Sequence, residues 1–294
     1  MTNTLTINSE NLLNKAQSIF DTIDVRKNTR EDYKKSIKVF IGYVEKHPLT
    51  NNSFLEFKRY LGERTDIGVS SKNKYLITAR ILLKELSKIG AMADITQNVK
   101  GFAQGKKHKK DGLNDNDVKK LMDVMRTMPD SFVCLRFKAL VSLFVYQGLR
   151  QKEVAGLDVE HINLVKGVAM ITGKGRDDFE PINLHPESIA ALRNYMLIIG
   201  RSTGALFFGR GSDRLCCMSI RRLITNQFLT LGIFKSVHGI RHFFVGKLIE
   251  SFGGNLVQVA QFTRHKSLDM LTVYNDAILT SKALPQYYNA FNGI

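Results

Sequence analysis

One short stretch near the end of the first third of the chain limits the fold more than any other. Residues 101–112 read GFAQGKKHKKDG: glycines bound the segment, large apolar side chains are almost missing, and Lys106, Lys107, Lys109 and Lys110 are crowded together. Such a stretch has little to bury and carries like charges that repel one another, so it reads as an exposed connection. The cores must then be assembled on either side of it. The expected division is a domain over 1–104, a basic linker over 105–112 and a second domain over 113–294, both within the common size of a domain.

The first half reads as helices throughout. Tyr33, Ile37, Phe40, Ile41 and Val44 recur at three- and four-residue steps, and so do Tyr75, Ala79, Leu82, Leu83 and Leu86, each set marking one apolar helix face. A small helical bundle follows. Segment 69–75, VSSKNKY, offers Ser70 and Ser71 as helix N-caps followed by Lys72 and Lys74, a helix start suited to a phosphate group.

In the second half Asn114 and Asp117 precede Val118, Leu121 and Met122, an N-cap with an acidic first turn that starts a helix near residue 115. From Cys134 to Tyr146 the run CLRFKALVSLFVY is apolar on most faces, which predicts a helix central to the core, stopped by Gly148. Over 167–184 two short apolar runs flank GKGRDD, the best β-hairpin signal in the chain. Helical spacing resumes at Ile189, Leu192 and Met196, again from Ile220 to Leu231, and continues nearly to Tyr288.

Charge narrows the partner. There are 43 Lys and Arg against 27 Asp and Glu, a net +16, and both halves share the excess: 21 basic and 12 acidic residues over 1–111, 22 and 15 over 112–294. That favours a polyanion, double-stranded DNA foremost, over an acidic small molecule. Of the three cysteines, Cys216 and Cys217 are adjacent and Cys134 is distant, a pattern unsuited to disulfides that points to a reducing, cytoplasmic compartment. It also lacks zinc-site spacing, so a structural metal is not expected; no cofactor is expected either. No apolar run approaches the roughly 18–20 residues needed to span a bilayer, and the amino terminus lacks the basic-then-apolar leader pattern, so no membrane partner is expected.

Candidate chemistry concentrates in the second half. VHGIRHFF places His238 and Arg241 one helical turn apart, able to face one ligand. RHKSLDMLTVY puts His265 nine residues before Tyr274. Upstream, GLRQKEVAGL contains Arg150 and Glu153, and the hairpin turn TGKGR contains Lys174. The ordered set Arg150, Lys174, His238, Arg241, His265 and Tyr274 resembles the catalytic signature of the tyrosine recombinases, the phage-integrase and Xer-like site-specific DNA recombinases. Gly148 to Glu153 match the GLR-x-x-E segment, Gly173 to Gly175 the GKG turn, and His238 to His242 the H-x-x-R-H segment. His265 and Tyr274 match the final histidine and the nucleophilic tyrosine. Three departures stand out: Arg264 occupies a position that is often glycine, the hairpin carries Asp177 and Asp178 where further basic residues are usual, and the spacing from Arg241 to His265 is about one residue longer than the family's, which a loop insertion around Phe252, Gly253 and Gly254 would absorb.

The resemblance implies a mainly α fold with a small β-sheet or hairpin in the C-terminal catalytic domain, in a two-domain clamp whose helical N-terminal part is the core-binding domain. It implies DNA strand breakage and rejoining through a covalent 3′-phosphotyrosine and a Holliday junction, without metal or ATP. Integration, excision and dimer resolution stay open as the biological task. Arg150 and Arg241 would stabilise charge on the phosphate as guanidinium forks, Tyr274 would attack, and Lys174 would protonate the leaving 5′-oxygen. His238 and His265 would accept the tyrosine proton or hydrogen-bond the phosphate, and Glu153 would orient Arg150 or a histidine. His242 reads as structural. Lys72, Lys74 and the linker lysines are the expected DNA contacts. The apolar-aromatic tail after Tyr274 is expected to anchor in a neighbouring protomer of a tetramer on DNA, with an accessory protein or partner recombinase left open. Tyr287 and Tyr288 fit a packed-aromatic role better than Tyr274 does. The competing readings are a topoisomerase of the same chemistry and a catalytically inactive DNA-binding regulator or architectural protein of the same fold. Metal-dependent nuclease chemistry would need a carboxylate cluster that the sequence does not offer.

Overall fold

The computed structural model describes residues 9–290 apart from 106–111, 174–177, 210, 212 and 266. Lys106, Lys107, Lys109, Lys110 and Lys174 therefore lie outside the described residues. The chain divides into two compact units, Met1–Lys106 and Lys107–Ile294, each with its own core.

The first unit consists of α1 (Ser9–Thr22), α2 (Lys27–Val44), α3 (Ser53–Glu63) and α4 (Val69–Lys88). Apolar side chains at helical spacing meet in one core: Phe20 of α1, Ile37 and Phe40 of α2, Phe54 and Phe57 of α3, Leu82 and Leu86 of α4. Phe40 and Phe57 pack edge to face with ring centres 4.9 Å apart, the arrangement aromatic quadrupoles favour. The start of α4 corrects the sequence expectation. Its N-cap is Gly68, whose carbonyl accepts the amides of Ser71 at 2.9 Å and Lys72 at 3.1 Å. Ser70 and Ser71 lie inside the first turn, because a backbone acceptor one step earlier has already closed it. Lys72 donates to the Gly62 carbonyl at 2.8 Å, and Lys74 pairs with Asp32 at 3.7 Å.

The second unit comprises α5 (Asp115–Thr127), α6 (Phe132–Gln147), α7 (Gln151–Ala155), strands β1 (Ile162–Asn163), β2 (Val168–Thr172) and β3 (Phe179–Asn183), then α8 (Pro186–Ile199), α9 (Cys217–Thr230), α10 (His238–Ser251), α11 (Leu256–Thr263) and α12 (Asp269–Asn289). Asn114 and Asp117 cap α5 reciprocally, each side chain accepting the other's amide, at 2.8 and 3.1 Å. Helix α6 is buried on nearly all sides, with Ala139, Leu140, Val141 and Leu143 inaccessible to solvent, and each large apolar side chain there contributes roughly 1.5–3 kcal/mol. The hairpin forms an antiparallel sheet of order β1-β2-β3, with Ala169 opposite Ile182 and the buried face at Ala169, Ile171 and Ile182. Strand β1, only two residues long, carries too little alternation to be read from sequence.

The last three helices share a smaller core of Phe244, Val245, Ile249, Val259 and Leu271. Between α10 and α11 the chain turns through Gly253 and Gly254, at φ 57° and 84°, conformations that glycine adopts without strain. Helix α12 carries Tyr274 and runs on to Asn289. The tail is thus a continuation of the tyrosine helix. Tyr287 and Tyr288 are exposed, contrary to the packed role expected of them, because the helix extends past Ile278, which still touches the small core. Among the described residues no helix is long and apolar enough to cross a membrane.

Candidate active site

The site grows from the end of α6. Gly148 adopts a left-handed conformation at φ 55°, its amide closing on the Leu143 carbonyl in the six-to-one bond of a helix that ends on glycine, and the Leu149 amide returns to the same carbonyl at 3.3 Å. A β-carbon at Gly148 would fall 2.1 Å from Cδ1 of Phe244, so glycine is also required by the close approach of α10. Two residues later Arg150 is the N-cap of α7. Its backbone amide donates to Glu153 Oε2 at 2.8 Å, and its guanidinium Nη1 to Glu153 Oε1 at 2.7 Å. Of the partners the sequence left open for Glu153, Arg150 is in contact with it through both its amide and its guanidinium.

Arg241 projects from α10 and is 3% exposed. One Nη donates to the Gly148 carbonyl and the other to the Thr263 carbonyl at 2.6 Å. Both acceptors lie at helix C-termini, where carbonyls are unpaired and the dipole is negative. Arg241 thus joins the end of α6 to the end of α11. Burial, the neighbouring Arg150 and Arg264 bring its pKa down to about 10, opposed by Glu153 and Tyr274.

Thr263 positions the next group, its hydroxyl hydrogen-bonding His265 Nδ1 at 2.8 Å. Between them Arg264 takes a left-handed conformation, φ 56° and ψ 38°, which accounts for glycine as the easier residue at this place. Its Nη2 donates to Glu153 Oε2 at 3.1 Å. Burial works against the Glu153 carboxylate, but Arg264, the Arg150 amide and the Arg150 guanidinium outweigh it and hold its pKa below the ordinary value. Three guanidinium groups therefore surround one carboxylate, an excess of positive charge that suits an anionic ligand.

Tyr274 approaches from α12. The His238 and His242 rings meet edge to face at 4.7 Å, and the His242 ring lies 5.2 Å from that of Tyr274. Burial pushes the Tyr274 pKa up to about 12, with Arg241 pulling the other way. Arg150, Glu153, His238, Arg241, His265 and Tyr274 are thus all placed in one unit around the α6–α7 corner and the α10–α12 end. Lys72 and Lys74 belong to the other unit, and Lys174 is outside the described residues. Two neighbours escaped the sequence reading. His242, read as structural, has its ring beside that of Tyr274; its four-residue step from His238 on one helix face was the available signal. Arg264 appeared only as a departure from pattern.

Comparison with known proteins decides the family. The model of the phage integrase family matches residues 112–279, which span the whole of this site. The chain belongs to the phage integrase family. Among its relatives, tyrosine recombinase XerC of Pseudomonas entomophila (strain L48) is 31% identical over 149 residues, 49% of this chain and 49% of that protein. The match thus spans about half the length of that relative. A tyrosine recombinase of Synechocystis sp. (strain PCC 6803) is 26% identical over 271 residues, 85% of this chain and 86% of the relative. Solved structures of similar fold include the XerH site-specific recombinase bound to palindromic difH substrate in a post-cleavage complex, with TM-score 0.75, 16% identity, and coverage of 97% of this chain and 100% of that one. A lambda integrase tetramer bound to a Holliday junction gives TM-score 0.71 at 14% identity, covering 92% and 78%. At these identities the likeness to phage integrase family structures is one of fold: mainly helical, with a small antiparallel sheet.

Proposed function

We propose that the protein is a site-specific DNA recombinase in which Tyr274 is the nucleophile. The observation that carries this reading is the gathering of Arg150 and Arg241 with the His242-contacted Tyr274 in one partly buried site of excess positive charge. In the proposed reaction Tyr274 Oη attacks a DNA phosphorus. The P–O5′ bond breaks, and a 3′-phosphotyrosine and a free 5′-hydroxyl form. Charge growing on the non-bridging oxygens is met by the Arg150 and Arg241 guanidiniums, whose held geometry needs no reorganisation as charge develops. A phenol with pKa pushed up to about 12 must lose its proton as it attacks, and His242, through its contact with Tyr274, joins His238 and His265 among the groups suited to receive it. Lys174 delivers the proton to the 5′-oxygen. The phosphotyrosine conserves the bond energy, so attack by a 5′-hydroxyl of a second strand rejoins DNA without ATP.

The fold likeness to DNA-bound recombinases supports double-stranded DNA as partner, with the basic first unit, Lys72, Lys74 and the linker lysines contributing phosphate contacts. It also supports a tetramer on two DNA sites, and the exposed Leu279, Leu284, Tyr287 and Tyr288 of α12 are the surface through which protomers would exchange tails. The test uses nicked duplexes drawn from the DNA flanking the protein's own coding sequence, incubated with wild type or Tyr274→Phe in EDTA. A protease-sensitive covalent complex from wild type alone is expected. A complex persisting in Tyr274→Phe would refute the assignment, and binding without a complex from either protein would favour a regulator of the same fold.

A further inference from the structure

Arg264 stands outside the site read from the sequence, yet the backbone accepts a strained conformation to place it. At φ 56° and ψ 38° it occupies the left-handed region, where a β-carbon is disfavoured. Its guanidinium is 7% exposed against a Glu153 carboxylate that is 2% exposed. Nη2 donates to Glu153 Oε2 at 3.1 Å and Nη1 to the Phe262 carbonyl at 3.2 Å, while Nε is buried with no hydrogen-bond partner among the described residues. A surface ion pair would not warrant such placement, because exposed pairs contribute little. A buried carboxylate, by contrast, needs a compensating charge at close range. Arg150 supplies only part of it, being 28% exposed and joined to Glu153 through one guanidinium nitrogen. Glu153 divides its oxygens accordingly: Oε1 receives the Arg150 guanidinium, and Oε2 receives both the Arg150 amide and Arg264.

We propose that Arg264 is a positioning residue of the reaction centre: by holding Glu153 it fixes the orientation in which Arg150 grips the phosphate, and it locks the segment bearing His265 to the α6–α7 corner. Two parts of the site, 111 residues apart in sequence, are thereby held in register by one buried ion pair. Arg264 acts on the phosphate through Glu153 and Arg150. The proposal rests on the strand-cleavage reading above, and its test separates the two.

Arg264→Gly relieves the left-handed strain, so an account in which residue 264 only shapes the backbone gives an unchanged or improved enzyme. We expect instead that the full chain forms covalent complex on the nicked duplexes about 10–100-fold more slowly. Arg264→Lys, which keeps the charge, should fall between the two. Methylguanidinium added to Arg264→Gly should restore part of the rate and leave wild type unaffected. In an Arg150→Lys background the same Arg264→Gly change should cost less than about 2-fold further, as two residues acting through one contact are not additive. Equal losses in both backgrounds, or no methylguanidinium rescue, would overturn the proposal. In the free protein, hydrogen exchange at the Arg150 amide should speed up by about 10-fold in Arg264→Gly while the Leu140 amide in α6 stays protected. An unchanged Arg150 amide also overturns it. If wild type gives no covalent complex while that amide does respond, strand cleavage is the reading that fails and the Arg264–Glu153–Arg150 linkage stands.

Discussion

Arg150 follows α6, where Ala139, Leu140, Val141 and Leu143 are fully buried in the large core of the second unit, whereas Tyr274 stands on α12, which rests on the small cluster of Phe244, Val245, Ile249, Val259 and Leu271. The arginine side is further locked by Gly148, Glu153, Arg241 and Arg264, each through a buried or part-buried hydrogen bond or a close backbone approach. The tyrosine side continues past Ile278 with Leu279, Leu284, Tyr287 and Tyr288 exposed. Under the proposed function the difference separates two tasks. Charge stabilisation works best from donors that do not move during the reaction, and a nucleophile that must attack and later be displaced benefits from a support that can shift at lower free-energy cost.

The contrast can be broken most severely at Gly148. Gly148→Ala places a methyl 2.1 Å from Phe244 Cδ1 at a φ of 55°, so urea unfolding should show a loss of about 3–4 kcal/mol, overpacking added to left-handed strain. In a Phe244→Ala background, itself destabilised by the truncation, Gly148→Ala should cost only the strain, about 1–2 kcal/mol. Next in size is Glu153→Gln, which leaves Arg241 and Arg264 buried without their counter-charge and should cost about 3 kcal/mol at pH 7. The pH dependence has a definite sign. Glu153 has a depressed pKa in the folded protein, so its stabilisation is complete above the unfolded carboxylate value of about 4.3 and is lost as pH falls through the lower folded value. The stability gap between wild type and Glu153→Gln should therefore be flat from pH 7 to about 5 and narrow below about 4. A gap that widens on acidification would contradict the charge assignment.

Leu271→Ala sharpens the comparison from the other side. Removing a fully buried side chain of the small cluster should cost about 2–3 kcal/mol, and hydrogen exchange should report faster opening of α12 with α6 unchanged. Equal acceleration in both helices would show that they open as one cooperative piece. The smallest effect belongs to Tyr274. Its pKa, raised to about 12 by burial, means that the neutral phenol's contribution is intact below the unfolded value of about 10 and is lost as pH rises from there through the folded value. Wild type should accordingly lose stability relative to Tyr274→Phe across that window and not below it.

How far the sequence was legible follows from the same contrast. The buried helix ending at Gly148, the capped start of α5 and the hairpin were readable because periodicity, caps and turn residues are local signals. Arg150, His238, Arg241, His265 and Tyr274 were found as an ordered motif, and one unit holds them all. Arg264 was not legible as a site residue: its partner Glu153 lies 111 positions away, and no local rule marks a left-handed arginine as an ion-pair donor. His242 was read as structural because a histidine on a buried helix usually is, and only the approach of α12 brings Tyr274 to it. The start of α4 was misplaced because Gly68 closes the first turn with its carbonyl, a backbone cap that side-chain identity does not announce. The exposure of Tyr287 and Tyr288 depends on how far α12 outruns its small core, which helical spacing alone does not specify.

The central claim is that Tyr274 carries the covalent bond to DNA. Complex formed by the wild-type protein on a nicked duplex, digested with protease and nuclease and sequenced by mass spectrometry, tests it most directly. A nucleotide joined through its 3′-phosphate to Tyr274 is the expected result. The same adduct on Tyr287, Tyr288 or any other residue would contradict the account.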